Sequence, residues 1–125
     1  MQRPREKAAK PAAAGELQLF KAQFFRALAN PIRIRILEVL LPGGQTVQAL
    51  QRALGLNQPI VSQQLAVLRN RGIVSAHKEG LSMCYTVRDP LVADLLDVAR
   101  RIFTNQFHTT RGLHRQLQRE RRRSI

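Results

Sequence analysis

The chain has 125 residues, with 21 Lys and Arg against 8 Asp and Glu, which gives a formal net charge of +13. This length supports one domain of roughly 100 residues with tails. The single cysteine excludes an intramolecular disulfide framework and an all-cysteine zinc site. Its uninterrupted apolar stretches fall short of the ~20 residues that a membrane span needs. These features predict a soluble cytoplasmic protein whose partner is a polyanion.

The positive charge is concentrated toward the two ends of the chain. Residues 1–15 carry a net +3, residues 111–125 carry +5, and the central residues 16–110 also carry +5. The start, rich in Ala, Pro and Lys, indicates a disordered basic tail. In the last segment, arginines on one helix face would repel each other, which disfavours a stable helix without a counter-anion. The sequence therefore predicts one folded domain, residues 16–110, between two basic tails.

The first two predicted elements are helices. Apolar residues at helical spacing place the first over residues 16–28. Asn30-Pro31 stops that helix and starts another, because Asn is a favoured N-cap and Pro is tolerated at the first helical position. Residues 32–36 alternate Ile and Arg as a strand would. The cap before them and the apolar residues after them nevertheless favour a helix that ends before Pro42.

The next two predicted elements are short helices joined through a turn that contains glycine. Thr46 caps the first of them, and Gly55 stands where a left-handed residue would end it. The second begins at Asn57 and is closed by Gly72. Its buried stripe comprises Val61, Leu65 and Leu68. In a basic chain, this pair of helices indicates a helix-turn-helix.

A hairpin and a long helix complete the predicted order. Residues 73–78 and 82–87 are the strands, and the last helix runs from Asp89-Pro90 to about Phe107. That helix is apolar on two sides, which is more than one small core can cover, so a partner subunit is expected. The predicted fold class is mainly α with a small β-hairpin (α+β). It is a winged helix-turn-helix of order α-α-α-α-β-β-α that dimerises through its first and last helices. The predicted dimer residues are Leu17, Phe20, Phe24, Leu91, Leu95, Val98 and Ile102.

Two stretches of this sequence resemble ArsR/SmtB-type bacterial repressors. One is FRALANPIRIRIL at residues 25–37, and the other is residues 57–72, which contain VSQQL. Residues 79–80 and Tyr85 stand where that family places its wing. The resemblance covers about residues 17–103 in the expected order. It implies a homodimeric repressor that binds an inverted-repeat operator in double-stranded DNA, with a recognition helix at about 57–70 and a wing at about 73–87. In the family, ligand binding typically releases the DNA.

The chain departs from the family pattern at two places. The best-known arsenic and cadmium sensors carry a cysteine cluster in the helix before the recognition helix, whereas residues 46–52 here contain no cysteine. The wing often carries an Arg after its Gly, where this chain has Leu81. The first departure leaves the inducer open, and the second predicts a weaker wing contact.

The solvent side of the predicted recognition helix supplies the candidates for reading DNA bases. Gln can bond bidentately to adenine, Ser can bond base edges or phosphates, and the N-terminal half of such a helix reaches the bases. The base-reading candidates are Gln58, Ser62, Gln63 and Gln64, with the alternative that Gln64 faces its own domain. The candidates for phosphate and wing contacts are Arg33, Arg69, Arg71, His77 and Lys78. A solvated hairpin tip is the alternative for His77 and Lys78.

Metal sensing is the one cofactor hypothesis that the resemblance raises. Some relatives bind zinc, cobalt or nickel between their last helices through an Asp-x-His pair and a His-x-x-His pair. In the matching register, two of the four positions are Leu95 and Arg111, which cannot ligate a metal. The candidate ligands are Asp94, Asp97, His108 and His114, for nickel or zinc as an allosteric effector, and a solvated acidic face is the alternative. Cys84, alone on a strand, is more simply a small buried apolar residue than a redox or metal-binding group.

A sequence-specific repressor is the favoured function, and two alternatives stay open. One is a nonspecific architectural DNA binder driven by the tails, whose salt dependence would collapse without them. The other is a winged-helix module that acts through a partner regulator, which senses the metal. No recognised phosphate loop, serine elbow or nucleophile–base motif indicates an enzyme. We expect the protein at the bacterial nucleoid and not at a membrane, with a small effector or a protein co-regulator as further partners.

Overall fold

The computed structural model describes the backbone of residues 11–124 and the side chains of residues 15–107 and 111–122. The chain divides into two units between Asp89 and Pro90, and the second unit is one long helix. The helices are α1 (Pro11–Leu28), α2 (Pro31–Leu40), α3 (Val47–Leu54), α4 (Gln58–Asn70) and α5 (Leu91–Ser124). The strands are β1 (Gln45–Thr46), β2 (Val74–Glu79) and β3 (Ser82–Val87). This order confirms the predicted winged helix-turn-helix and adds one strand to it.

Local capping chemistry sets where helices α2, α3 and α4 begin. Asn30 Oδ1 accepts from the backbone nitrogens of Ile32 and Arg33 at 2.9 and 3.1 Å. Thr46 Oγ1 accepts from the Ala49 nitrogen at 3.1 Å. In the same way, the side chain of Asn57 caps α4. These bonds satisfy donors that have no partner inside the helix, so the predicted starts of all three helices are confirmed.

The core of the first unit is a set of apolar side chains from α2, α3, α4 and β2, with Ile73 just before β2. Its largest fully buried members are Ile36, Leu37, Leu40, Leu50, Val61, Leu65, Leu68, Ile73 and Val74. Burying each such side chain contributes roughly 1.5–3 kcal/mol before the entropy of ordering is counted. Ile36 and Leu37 confirm that residues 32–36 are helical despite their alternating pattern, because both adjacent residues are buried.

The sheet is antiparallel and has the order β1-β3-β2. Strand β3 lies in the middle, so that Cys84 is paired with His77 on one side and with Thr46 on the other. The segment before β1 passes close to β3: a Cβ atom at Gly44 would lie 2.7 Å from Cys84 Sγ. A side chain at that position would collide with the strand. Strand β1 is not predictable from the local sequence, because a strand of two residues has no periodicity of its own.

The first and last helices are longer than the sequence indicated. Helix α1 begins at Pro11, within the segment expected to be disordered, and residues 1–10 lie outside the described part of the chain. Helix α5 continues through residues 111–124, where charge repulsion was expected to disfavour a helix. Arg, Leu and Gln are strong helix formers, and the Arg111 guanidinium stacks over the Phe107 ring at 4.1 Å. These two effects oppose the repulsion between the arginines.

Candidate nucleic-acid interface

Helix α4 has one face locked into the core and one face open to solvent. Gln58 and Gln63 are exposed, and Ser62 is half-buried, whereas Val61 and Leu65 are fully buried. All three polar residues lie in the half of α4 that starts at the Asn57 cap. The arrangement presents short, uncharged hydrogen-bonding groups on a rigid helix, which is the chemistry that base edges in a major groove require.

Two of the predicted DNA-contacting residues, Arg33 and Gln64, bond to each other. Arg33 Nη1 donates to Gln64 Oε1 at 2.7 Å. The same guanidinium donates through Nε to the Ala27 carbonyl at 2.6 Å and through Nη2 to the Arg26 carbonyl at 3.2 Å. Arg33 therefore joins the carboxyl end of α1 to α4 and satisfies carbonyls that lack partners within α1. In this geometry Arg33 and Gln64 link α4 to α1, and Gln64 takes the alternative orientation toward its own domain.

The carboxyl end of α4 carries the two arginines predicted to contact phosphates. Arg69 is exposed, and Arg71 Nη1 donates to Gln23 Oε1 at 3.0 Å, which ties α4 to α1. Gly72 follows with φ of +71°, a left-handed conformation that ends the helix and redirects the chain into β2. Both arginines thus stand at the junction of the recognition helix with the wing.

The wing is the hairpin of β2 and β3, which turns at Gly80 and Leu81. Gly80 has φ of +67°, and Leu81 at the tip is fully exposed, with 103% relative exposure. His77 and Lys78 are exposed on the strand before the turn, which is compatible both with a contact to the DNA backbone and with a solvated hairpin. Leu81 offers no hydrogen bond or charge at the tip, so the weaker wing contact stays a prediction.

Behind the wing tip lies a group of three potential metal ligands: His77, Glu79 and Cys84. One ligand atom from each lies within 4.8 Å of the other two, and His77 Nε2 is 3.6 Å from Glu79 Oε2. Burial raises the pKa of the Cys84 thiol above its usual value, and the negative charge of Glu79 raises it further. The predicted burial of Cys84 is confirmed, but its neighbours were not anticipated.

Among the residues of α5 that the sequence offered as metal ligands, Asp97 and His114 make other side-chain bonds. Asp97 bonds Arg100 at 2.8 Å and Arg101 at 3.0 Å. The hydrogen bond from Arg100 is the main reason that the pKa of Asp97 is lowered from its usual value. His114 bonds Gln118 at 3.0 Å, and the side chain of His108 lies outside the described residues. Among described side chains, Asp94, Asp97 and His114 do not form a metal-binding group within one chain.

Helices α1 and α5 each expose a large apolar surface. On α1, Leu17 and Phe20 are exposed, and Phe24 is half-buried in an edge-on contact with Phe25 at 5.6 Å. On α5, the predicted stripe is exposed at Leu91, Val98 and Ile102 and half-buried at Leu95. Leu113 and Leu117 continue this stripe at 57% and 62% exposure. These two leucines lie in the segment predicted to be a tail, although the spacing of 11 residues from Ile102 to Leu113 is three helical turns and indicates the same face.

A helix-turn-helix formed by α3 and α4, followed by a two-stranded wing, defines the class of winged helix-turn-helix DNA-binding regulators. The chain belongs to the arsR family of bacterial regulatory proteins, whose sequence model matches residues 30–76. It is a DNA-binding transcriptional regulator, and the family is a class of regulators rather than enzymes, as predicted.

Two relatives illustrate this membership in sequence. The HTH-type transcriptional regulator Rv0081 of Mycobacterium tuberculosis is 45% identical over 87 residues, which are 69% of this chain and 76% of that protein. A protein of Streptomyces lividans that is named as a mercury resistance operon repressor is 44% identical over 79 residues, 63% of each chain.

Solved structures agree with the fold. The crystal structure of Rv0081 has a TM-score of 0.70 at 42% identity and covers 74% of this chain and 93% of that one. The homodimeric winged helix-turn-helix DNA-binding domain of Mb0332 from Mycobacterium bovis has a TM-score of 0.70 at 30% identity, covering 75% and 87% of the two chains. In the part of the chain that the structure describes, no helix has both the length and the apolar character of a membrane span.

Proposed function

We propose that the protein is a homodimeric repressor that binds an inverted-repeat operator, with α4 of each copy in a major groove. The observation that carries this proposal is that α4 is buried on one side and exposed to solvent on the other. Val61, Leu65 and Leu68 are at most 1% exposed, whereas Gln58 and Gln63 on the other side are exposed. A helix held this firmly presents its outer side chains in fixed positions, as specific hydrogen bonding to bases requires.

The contacts divide into those that read sequence and those that add affinity. Gln58, Ser62 and Gln63 bond base edges, because they stand in the amino-terminal half of α4. Arg69 and Lys78 contact phosphates, which strengthen binding to any DNA sequence alike. Arg33, Gln64 and Arg71 contribute to DNA binding indirectly, because their bonds fix the orientation of α4 against its own domain.

A second copy of this chain covers the apolar faces of α1 and α5. Exposed side chains such as Phe20 at 68%, Ile102 at 50% and Leu117 at 62% would otherwise face water along both helices. Contiguous apolar surface of this kind marks an interaction site on a soluble protein. The homodimeric structure of the relative Mb0332 supports the same state for this chain. A symmetric dimer then matches an operator with two half-sites, about one DNA turn apart.

Operator binding tests the proposal directly. Fluorescence anisotropy would compare DNA from upstream of the protein's own gene with a scrambled duplex of equal composition. We expect a preference of about a thousandfold or more for the upstream DNA. Gln63→Ala should weaken that specific binding by about 1–3 kcal/mol, whereas Gln18→Ala, an exposed glutamine on α1, should not. Equal affinity for both duplexes would refute the proposal and favour the architectural alternative.

Sedimentation of charge-insertion variants tests the dimer. Ile102→Glu places a carboxylate on the exposed apolar stripe of α5, where a second copy would have to bury it without a partner charge. Thr104→Glu adds the same charge two residues further along, at another exposed position of the helix. We expect Ile102→Glu to shift the protein toward monomer and Thr104→Glu to leave it dimeric. A wild-type protein that sediments as a monomer at micromolar concentration would contradict this interface.

The effector is a divalent metal in this proposal, which the Streptomyces relative named as a mercury resistance operon repressor supports. Nickel or zinc at Asp94, Asp97, His108 and His114 of α5 would require Asp97 to release two arginines. Within one chain, the described residues of α5 do not form such a site. That assignment therefore depends on residues brought by a second copy, and the variants Asp97→Asn and His114→Gln, used as controls below, test it.

A further inference from the structure

The pairing register of the wing brings three different ligand types to one point. His77 is the cross-strand partner of Cys84, so the two side chains share a face of the sheet. Glu79 is two residues after His77 and therefore points to the same face. The result is a thiol, an imidazole and a carboxylate with ligand atoms all within 4.8 Å of one another. The DNA contacts proposed above make no use of Glu79 or Cys84.

We propose that His77, Glu79 and Cys84 form a three-ligand binding site for a thiophilic divalent cation of the zinc class. Zinc accepts sulfur, nitrogen and carboxylate oxygen ligands, and it commonly binds three protein ligands with the fourth position open to water. Strongly oxygen-preferring cations such as magnesium are disfavoured by the thiolate and the imidazole. The site is made of wing residues and includes none of the candidate ligands on α5.

The observed distances are close to those of a bound metal. Ligand bonds of 2.0–2.3 Å at tetrahedral angles place ligand atoms about 3.3–3.8 Å apart. His77 Nε2 and Glu79 Oε2 already meet this spacing at 3.6 Å. Their side chains are 52% and 69% exposed, so both can change rotamer toward the fixed, buried Cys84 Sγ. When the sulfur–metal bond forms, the thiol proton passes to solvent.

Metal binding changes the charge of the wing, and this step rests on the function proposed above. Without metal, the Glu79 carboxylate is a negative charge beside Lys78, on the hairpin that faces phosphates. With a divalent cation bound by one carboxylate and one thiolate, the site becomes neutral. Removing a negative charge from this surface reduces its repulsion of DNA. We therefore infer that the cation strengthens operator binding.

Cobalt(II) titration of the full-length, metal-free protein tests the site. Thiolate ligation to cobalt produces a charge-transfer absorption band, and the chain has only one cysteine, so the band reports Cys84 alone. We expect the band to saturate at one cobalt per chain and to disappear on addition of zinc. Absence of the band in the wild-type protein would overturn the proposal.

Variants separate a built site from adventitious binding to a thiol. Cys84→Ser should abolish the band. His77→Gln and Glu79→Gln, both at exposed positions that the fold tolerates, should each weaken cobalt binding by about tenfold or more. Asp97→Asn and His114→Gln on α5 should titrate as the wild-type protein does. Unchanged cobalt affinity in both His77→Gln and Glu79→Gln would refute the three-ligand site. Loss of the Cys84 band in the α5 variants would refute it as well, because the metal would then need ligands from α5.

Operator binding with and without zinc keeps the two proposals distinguishable. We expect zinc to raise the operator affinity of the wild-type protein. The Glu79→Gln variant should bind the operator more tightly than the wild-type protein without metal, and zinc should leave its operator affinity unchanged. Specific operator binding by the metal-free protein, together with no cobalt band, would refute the site and leave the repressor function standing. A cobalt band in a protein that shows no preference for the operator would support the metal site and refute the repressor function.

Discussion

Arg33 should support the stability of the fold more than the binding of DNA. Its guanidinium donates to the carbonyls of Ala27 and Arg26 and to Gln64, so one side chain links α1, α2 and α4. Arg33→Gln shortens the side chain and removes the fork of donors. The Ala27 carbonyl then loses the donor that Arg33 supplies, whereas the Arg26 carbonyl keeps its bond from the Ala29 nitrogen at 3.1 Å. Helix α4 also loses a bond that fixes its orientation.

The size of this effect follows from the burial of the three bonds. The bonds to Ala27 and Gln64 are part-buried, at 2.6 and 2.7 Å, whereas the bond to Arg26 is exposed and longer, at 3.2 Å. A hydrogen bond to a charged group contributes about 1.5–3 kcal/mol. Taking the lower value for the two part-buried bonds and nothing for the exposed one gives a loss of about 3 kcal/mol. For a domain of this size, the melting temperature should fall by at least about 10 °C.

Chemical denaturation and operator titration would be measured on the same variants. Arg35→Gln is the matched control, since Arg35 lies on the same helix and makes a single long bond of 3.4 Å. It should cost less than about 0.5 kcal/mol. Arg33→Lys keeps the positive charge but lacks the forked donors of the guanidinium, so this variant should still be less stable than the wild-type protein. If Arg33→Gln unfolds like the wild-type protein but shows a shallower salt dependence of DNA binding, Arg33 is a phosphate contact and the structural reasoning fails.

Two further predictions concern the loop before the sheet and the tip of the wing. Gly44→Ala should destabilise the fold by about 1–3 kcal/mol in a denaturant titration, because its Cβ would lie 2.7 Å from Cys84 Sγ. Gly43→Ala, which adds a Cβ in open space, is the control, and equal losses at both positions would contradict the collision. Leu81→Arg adds a charge at the exposed tip and should steepen the salt dependence of operator binding by about 0.9 in log–log slope. Leu81→Gln should not, and an unchanged slope for Leu81→Arg would place the tip away from the DNA backbone.

The parts of the fold that sequence predicts well are those decided within a few residues. Asn30, Thr46 and Asn57 each cap a helix through a bond to a nitrogen two or three residues ahead, so their role is visible in the local sequence. The apolar stripes of the helices are also visible in the local sequence, because their residues recur every three or four positions. By contrast, β1 exists only because Gln45 and Thr46 pair with β3, some forty residues later. No pattern within two residues can predict such a partner.

A small error in the predicted pairing register of the wing strands is enough to separate the three proposed metal ligands, His77, Glu79 and Cys84. The predicted strands, residues 73–78 and 82–87, leave a turn of three residues, whereas the observed turn is limited to Gly80 and Leu81. The two-residue turn pairs Glu79 with Ser82 and, continuing along the strands, His77 with Cys84. With that register, the three ligands would have been found on one face from the sequence alone. The bond between Arg33 and Gln64 is different, because it joins two helices whose packing no local pattern fixes.

The structure also changes what the net charge of +13 means for DNA recognition. Arg33 and Arg71 look like phosphate contacts in the sequence, yet each donates to a glutamine of its own domain. In the function proposed above, sequence choice depends on the uncharged Gln58, Ser62 and Gln63, which lie on the helix that these two arginines link to α1. Phosphate contacts change the affinity for every duplex by the same factor, whereas base contacts change the ratio between duplexes. Loss of an arginine that only positions α4 should therefore lower this ratio, and loss of an arginine that contacts phosphates should leave it intact.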